Sequence, residues 1–337
     1  MIKQSTLLKL QKELVKTNEI WNKTKERRKT HPMKLVVLMS TYNGEHYLRE
    51  QIDSILNQKL NIEIDLIVRD DGSADSTRKI LKEYADSGKL KLIEGNNVGA
   101  AKSFIYLLRD HPGYDYYAFS DQDDVWNENK LQNGVDAIKD IKGPALYCSN
   151  GELVDAELNN IGRNIHRALP TYTLESILCL ASCAQGCTSV FNKELAMIVQ
   201  NNNIPEKFIM HDSMVTCLCA LINGSIIYDE IPSLKYRIHG NNVIGLVTAN
   251  QSKLKVLKNR ASEIFKKKKI TAYDQARSLL NTYNGYIPQK NKDICELLIE
   301  SEKSLPARLK LVCNKNLKDD TLNKTVTKKL EILFGNA

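Results

Sequence analysis

No run of the 337-residue chain comes near the roughly 20 apolar residues that a membrane-spanning helix needs. The best stretch, MVTCLCALINGSIIY, is broken by Asn223 and Gly224, which predicts a soluble or peripheral protein. Tight C-x-x-C pairs are missing as well. The eight cysteines are scattered through apolar segments, and even Cys179, Cys183 and Cys187, at i, i+4 and i+8, lack the usual metal-ligand spacing. They are expected to be buried packing residues without chemistry. With no signal-peptide pattern ahead of them, a reducing cytoplasm is the expected setting. Gly-rich phosphate loops of the G-x-G or G-x-x-x-x-G-K-[ST] kind are also absent, which disfavours a P-loop kinase or a nucleotidyltransferase. The chain shows neither an internal repeat nor a low-complexity linker.

What is present is unevenly charged. Residues 1–33 hold nine Lys and Arg against three acids, and 251–337 hold nineteen against nine, so 34–250 keeps twenty basic and twenty-eight acidic residues. An acidic centre between basic arms argues against a nucleic-acid-binding core. The arms suit contact with an anionic surface. Leu7, Leu8, Leu10, Leu14, Ile20 and Trp21 give residues 4–29 the composition of a helix with an imperfect apolar stripe. Lys266 to Lys269, beside Ile264 and Phe265, and the terminal KTVTKKLEILF are the segments expected to meet anionic lipid. Solvated helices or oligomer contacts explain the same lysine content.

The texture changes at Met33. KLVVLMSTYNG reads as a buried strand ending in a polar loop, and EHYLREQIDSILNQ as a helix with Tyr47, Leu48, Ile52, Ile55 and Leu56 on one side. IEIDLIVRDDGSADST, TRKILKEYADSG closed by Gly88, KLKLIEG, NNVGAAKSFIYLLRD and DYYAFSDQDDVW continue the alternation of strand and helix. Alternation of this kind predicts an α/β fold with a mainly parallel sheet and ligands beyond the C-terminal ends of its strands. Three polar turns, STYNG, RDDGS and SDQDD, fall at that edge. PALYCSNGELVD, a loop, a helix near 173–183, AQGCTSVFN, MHDSMVTCLCALING and SIIYDEIPSLKYRIHGNN follow, then Lys-rich helical segments after 250 interrupted at TYNGYIPQK and SLPARLK. The expected division is 1–33, 34–250 and 251–337.

SDQDDVW places three carboxylates in four positions at the end of a buried strand. Unpaired, such groups raise one another's pKa, so a stable cluster needs a cation, a hydrogen-bond net or solvent. Asp121 and Asp123, on alternate positions of a turn, suit a hard Mg²⁺ or Mn²⁺ that also meets phosphate oxygens. Asp124 is placed to cap the following helix, with Trp126 packed beneath. A solvated acidic turn is the other reading of the same residues. In Asp70-Asp71-Gly72-Ser73 the carboxylates suit a base N–H or ribose hydroxyls, and Gly72 permits the bend.

The series STYNGEHYLREQIDSILNQ, VRDDGSADST, NNVGAAKSF, YYAFSDQDDVWNENKL, QGCTSVFN, HDSM and YRIHGNNVIG, spread over about residues 34–245, resembles glycosyltransferase family 2, the inverting nucleotide-sugar transferases of GT-A fold, and especially its rhamnosyltransferase-like members. The resemblance implies a mixed, mainly parallel sheet flanked by helices. It places Ser40, Thr41, Tyr42 and Glu45 in the nucleotide pocket, Asp71 assisted by Asp70 on base or ribose, and Asn97 and Lys102 near the donor. Asp121-Gln122-Asp123 is similar to the DxD motif, with Asp123 bridging metal and diphosphate and Asp121 on metal or ribose. Gln185-Gly186-Cys187-Thr188 would line the sugar pocket, with Gly186 allowing close backbone approach. Arg237 would hold the diphosphate and His239 would complete the metal shell. Asp212 would be the general base, beside His211 where family members often carry Glu.

The implied activity is transfer of a sugar from a nucleoside-diphosphate donor, first of all L-rhamnose from dTDP-L-rhamnose, to a hydroxyl of a growing glycan such as O-antigen, capsule or cell-wall polysaccharide, on a lipid-linked acceptor. A Mg²⁺ or Mn²⁺ cofactor and a peripheral position on the cytoplasmic face of a membrane go with it. The alternatives are a UDP-hexose or UDP-N-acetylhexosamine donor, and a non-catalytic scaffold for glycan assembly.

Overall fold

Strand β1 (Lys34–Thr41) carries only apolar side chains from Leu35 to Met39, a pattern that is stable when both edges are paired and both faces covered. Both conditions are met. β2 (Glu63–Asp70) pairs with β1 in parallel on one side and β4 (Tyr116–Ser120) on the other. Val36 and Leu38 enter one apolar cluster, while Leu35, Val37 and Met39 enter another on the opposite face. The computed structural model describes residues 32–180, 184–239 and 270–335.

The crossovers are the helices read from the sequence. α1 (Leu48–Leu56) buries Leu48, Ile52 and Ile55, and α2 (Thr77–Asp86) ends just before Gly88, whose φ of +71° closes the helix. β3 (Lys91–Glu94) extends the sheet beyond β2, and α3 (Ala100–Asp110) buries Phe104, Ile105, Leu107 and Leu108.

Beyond β4 come β5 (Val125–Trp126), α4 (Lys130–Ile138), β6 (Ala145–Val154), β7 (Asn160–Asn164), α5 (Leu174–Leu178), β8 (Val190–Asn192), α6 (Lys193–Gln200), α7 (His211–Leu221) and β9 (Ser225–Arg237). Among the described residues the sheet runs β3-β2-β1-β4-β8-β6-β9-β5, with β7 on β6. The long pairings are parallel: β3-β2-β1-β4 and β6-β9. The short ones, β4-β8, β8-β6, β6-β7 and β9-β5, are antiparallel. This is the mixed, mainly parallel sheet with flanking helices that was expected.

Two local expectations fail. β7 forms a hairpin with β6 where the sequence reads as loop, because NIGRN lacks the apolar alternation of a half-buried strand. Asp124 does not cap α4, whose N-cap is Asn129; its Oδ1 instead accepts the backbone N–H of Arg237 at 3.2 Å, tying the end of β4 to β9. Trp126 is buried as expected, with the Lys130 ammonium 4.0 Å from its ring centroid.

The C-terminal region is helical where described: α8 (Ala272–Tyr283), α9 (Gln289–Ser301), α10 (Leu305–Val312) and α11 (Leu322–Leu333). Tyr273, Leu279, Leu298, Leu311 and Ile332 belong to the same apolar cluster as α3 and α7, and Gln275 Nε2 donates to Ser213 Oγ at 2.9 Å. These helices complete one face of the sheet. The expected helix at 4–29, the 250/251 boundary and Lys266 to Lys269 lie outside the described residues. Among the described residues no helix is long and apolar enough to cross a membrane.

Candidate active site

Parallel register sets Thr41 beside Asp70 and Met39 beside Ser120, so the three polar turns leave the sheet at one edge. There they line a pocket of about 430 Å³. Of the residues picked out from the sequence, Ser40, Thr41, Tyr42, Asp71, Asn97, Asp121, Asp123, Gly186, His211 and Asp212 border it. Glu45, Asp70, Lys102, Arg237 and His239 do not line it.

The first and third turns are fastened together by one amide. Tyr42 donates its backbone N–H to Gln122 Oε1 at 2.9 Å, and Gln122 Nε2 donates to the Tyr42 carbonyl at 3.2 Å. A Cβ on Gly44 would lie 2.3 Å from the same Gln122 oxygen, so glycine is required for this approach. The Tyr42 ring itself is exposed at the pocket mouth, free to offer a face to a planar ligand. Ser40 Oγ donates to Ser103 Oγ at 2.6 Å beneath the turn.

Asp70 and Asp71 have different tasks. The Asp70 carboxylate is wholly buried and accepts from Thr41, Ser73, Arg78 and the backbone N–H groups of Gly72 and Ser73. Burial pushes its pKa up, but the bonds from Ser73 and Arg78 outweigh this and hold it below the usual carboxylate range. Asp70 therefore builds the turn, its oxygens engaged within it. Asp71 pairs with Arg69 and accepts the N–H groups of Val98 at 2.9 Å and Gly99 at 2.8 Å, which fixes the NNVG loop and brings Asn97 to the rim. Its carboxylate retains capacity for a further donor. Glu45 accepts the Ser76 N–H at 2.8 Å, and Lys102 is exposed on α3, so neither stands at the pocket in this arrangement.

The acidic cluster lies at the opposite wall. His239 Nε2 stands 2.8 Å from Asp123 Oδ2, joining two residues 116 positions apart. Burial, and after it the Asp123 and Asp212 carboxylates, push the Asp121 pKa up to about 7. Asp124 is buried more deeply, its Oδ2 without a hydrogen-bond partner and its pKa well above the usual range through burial and its acidic neighbours. Carboxylate oxygens with one imidazole fit Mg²⁺ or Mn²⁺, and the mutual repulsion that raises Asp121 and Asp124 is of the kind a cation relieves. Asp123 and His239 are in contact, while among the described residues the three ligand atoms that lie within 4.8 Å of one another belong to Asp121, Asp124 and Cys187.

Arg237 does not border the pocket. Its guanidinium is buried, donating to the carbonyls of Asp123 and Ala156, pairing with Glu50, and lying 4.3 Å from the Tyr47 ring centroid. It leads the chain into His239, beside the acidic cluster.

On the fourth side, the first turn of α7 presents Asp212. Its Oδ2 accepts the Gly186 N–H at 3.0 Å and its Oδ1 the Ser213 N–H at 2.6 Å. His211 is buried between the Phe104 ring, stacked at 3.9 Å, and Phe119, with neither ring nitrogen hydrogen-bonded. Burial lowers its pKa to about 4, so it is a neutral wall residue at ordinary pH. Two features of the site are not legible in the sequence. The Cys187 thiol, expected to be inert packing, has its sulfur within 4.8 Å of carboxylate oxygens of Asp121 and Asp124, and burial drives its pKa well up. The Lys130 ammonium is buried without a hydrogen-bond partner, its pKa lowered by burial to about 8. Only the i+6 offset of a lysine from the acidic turn hinted at that. A larger hollow of about 1020 Å³ lies at the other end of the strands, where Lys193 and Asp115 pair at 2.9 Å; Asp140 and Glu194 also line it, but among the described residues it holds no group of three metal-ligating side chains drawn together.

Comparison with known proteins agrees with this geometry. Residues 36–197 match the sequence model of glycosyl transferase family 2. The chain is 32% identical over 230 residues to dTDP-rhamnosyl transferase RfbG of Shigella flexneri, covering 65% of this chain and 78% of that one. It is 31% identical over 157 residues to the UDP-Glc:alpha-D-GlcNAc-diphosphoundecaprenol beta-1,3-glucosyltransferase WfgD of Escherichia coli, covering 46% and 58% of the two chains. S. aureus TarS 1–349, solved in complex with UDP-GlcNAc, superposes with a TM-score of 0.50 over 89% of each chain at 18% identity, a likeness of fold.

Proposed function

Because the chain belongs to glycosyl transferase family 2 and is a glycosyltransferase of GT-A fold, we propose that it transfers L-rhamnose from dTDP-L-rhamnose, with inversion and with a divalent metal, to a hydroxyl of a growing cell-surface glycan. The observation that carries this reading is the convergence on one pocket of Asp123, backed by His239, with Asp212. Rhamnose is favoured over other sugars by the 32% identity to a dTDP-rhamnosyl transferase.

In this reading the acceptor hydroxyl enters beside Asp212, whose carboxylate takes its proton. The freed oxygen pair forms a bond to the anomeric carbon while the bond to the diphosphate oxygen breaks on the opposite side, and the diphosphate leaves with that electron pair. The N–H groups of Gly186 and Ser213 hold the Asp212 carboxylate in one orientation before substrate arrives. His211 takes no proton, since it stays neutral and its ring nitrogens are buried. Tyr42, Asn97 and Asp71 face the nucleoside, and Asp121 and Asp123 face the diphosphate. A metal bound there would supply Lewis-acid neutralisation of the charge that builds on the leaving group. A lipid-linked acceptor on the cytoplasmic face of a membrane is proposed by analogy with the diphosphoundecaprenol substrate in the name of the Escherichia coli relative.

The test is a donor panel. Purified protein is offered dTDP-L-rhamnose, UDP-glucose, UDP-galactose and UDP-N-acetylhexosamines with Mn²⁺ or Mg²⁺, and nucleoside diphosphate release is followed with and without EDTA. EDTA-sensitive release from dTDP-L-rhamnose is expected. Release from a UDP-sugar alone would replace rhamnose, and release unaffected by EDTA would remove the metal.

A further inference from the structure

The outward face of α11 is apolar where the surface of a water-soluble helix would be charged. Leu322, Val326 and Leu330 follow one another at i, i+4 and i+8, and Phe334 comes one more turn along, with exposures of 78%, 48%, 48% and 71%. On the opposite side Ile332 is fully buried in the core. At 3.6 residues per turn, Asn323 and Thr327 fall among the exposed apolar positions, Lys329 and Glu331 fall at the margins, and Lys324 and Lys328 fall toward the side of Ile332. α10, packed against α11, adds Leu305 and Leu309 as a second exposed pair. Of sixteen exposed large apolar side chains among the described residues, these two helices hold six. A concentration of that kind marks a contact surface.

We propose that the α10–α11 face is the surface by which this protein lies on an anionic membrane, with the α11 ridge inserted at the headgroup level. Charge selects the occupant. Residues 303–335 contain eight Lys and Arg against three acids, so a second copy of the same face, or the equally basic residues 1–33, would bring like charge against like. Anionic lipid complements both the apolar ridge and its basic margin. The choice of a lipid surface over an acidic protein rests on the lipid-linked acceptor proposed above. Lys324 and Lys328 are partly engaged, with Asp320 at 2.6 Å and Glu331 at 2.8 Å, but Lys303, Lys310, Lys315 and Lys318 are exposed around the ridge.

The experiment is flotation of the full chain with phosphatidylcholine vesicles, with and without phosphatidylglycerol, at low and high salt. Val326→Ser, Leu330→Ser and Phe334→Ser are combined in one variant, since all three side chains are exposed and their replacement leaves the core intact. Wild-type protein should float with the anionic vesicles at low salt and less at high salt, and the triple variant should bind them more than tenfold more weakly, about what loss of three apolar insertions implies. Turnover of the variant on a short, water-soluble acceptor should match wild type. Wild-type protein that stays out of the vesicle fraction, or a variant that floats equally well, overturns the proposal. A dimer by light scattering that the same substitutions dissolve would overturn it too, assigning the face to a second copy. Flotation with no transfer to any lipid-linked acceptor would leave the surface standing and sink the acceptor reading instead.

Discussion

The Gly186 backbone N–H donates to Asp212 Oδ2 at 3.0 Å, joining the loop that precedes β8 to the first turn of α7. The carboxylate proposed to take the acceptor proton is thereby fixed on one oxygen, with Ser213 N–H holding the other. Asp212→Asn keeps the size but offers one acceptor oxygen where two are used. Turnover should fall by a factor of about 10²–10⁴, with donor KM little changed and stability lowered by about 1 kcal/mol. Steady-state kinetics beside thermal melts checks this, and wild-type turnover would remove Asp212 from the reaction.

Gly186 itself should be intolerant. A Cβ there would lie 2.4 Å from His211 Nε2 and 3.4 Å from the Asp212 Cβ, and His211 has little room to yield between Phe104 and Phe119. Gly186→Ala is expected to destabilise the fold by about 1–3 kcal/mol, as overpacking does, and to lower kcat by displacing Asp212. Urea unfolding with kinetics on the folded fraction separates the two effects; a variant unchanged in both would show that the wall is soft.

Asp123→Asn and His239→Ala should weaken metal binding by different amounts. Asp123 supplies charge as well as an oxygen, so its loss should abolish EDTA-sensitive turnover. His239 supplies one neutral donor, and its removal should cost about 10–100-fold in apparent metal affinity with activity recovered at high Mn²⁺. Titration of activity with Mn²⁺ decides, and equal, unrecoverable losses would contradict the division of roles.

The pH dependence of metal binding follows from Asp121. Burial and its acidic neighbours raise its pKa to about 7, above the ordinary carboxylate value, so the metal-free fold prefers the proton. Its contribution to stability is complete at low pH and is lost as pH rises through about 7. A cation must displace that proton, so apparent affinity should fall about tenfold per unit below pH 7 and level off above it. The stabilisation by Mn²⁺, read as a melting shift, should be larger at pH 8 than at pH 6; a shift independent of pH would refute the assignment.

His211 predicts an acid limb of the opposite origin. Its folded pKa is lowered to about 4 by burial, whereas the unfolded chain protonates it near 6.5, so stability is full above 6.5 and is lost as pH falls towards 4. From pH 7 to pH 5 this one residue should cost about 2 kcal/mol. His211→Leu loses the stacking and some absolute stability, but its unfolding free energy should be flatter over that interval. An unchanged slope would place the acid sensitivity elsewhere.

Most of the architecture could be read from local pattern, because the central strands are continuous apolar runs and the helices carry stripes that the core then buries. LVVLM and the spacing of Leu48, Ile52 and Ile55 leave little choice of structure. The pocket was legible for a related reason: parallel strands send their C-terminal turns to one edge, so STYNG, DDGS and SDQDD must meet. Illegible were the properties that depend on depth. Asp70 and Asp71 are adjacent in sequence and both buried, yet one is consumed by its own turn while the other borders the pocket. Arg237 reads as a hand for phosphate and is buried as a strut. Cys187 gains its significance from Asp121 and Asp124, far away in the chain, and Lys130 from its burial beside Trp126, at which only its offset from the acidic turn hints.

The Gln122 amide that fastens Tyr42 to the acidic turn has a thermodynamic consequence for the donor. Holding a residue's backbone costs about 1–2 kcal/mol of entropy, and here that cost falls on folding, before any nucleotide arrives. Binding at this side of the pocket should then resemble entry into a rigid mould, with a small entropic penalty in calorimetry. Gln122→Ala would hand the same ordering cost to the ligand, weakening affinity chiefly through entropy while the chemical groups that touch the donor stay the same.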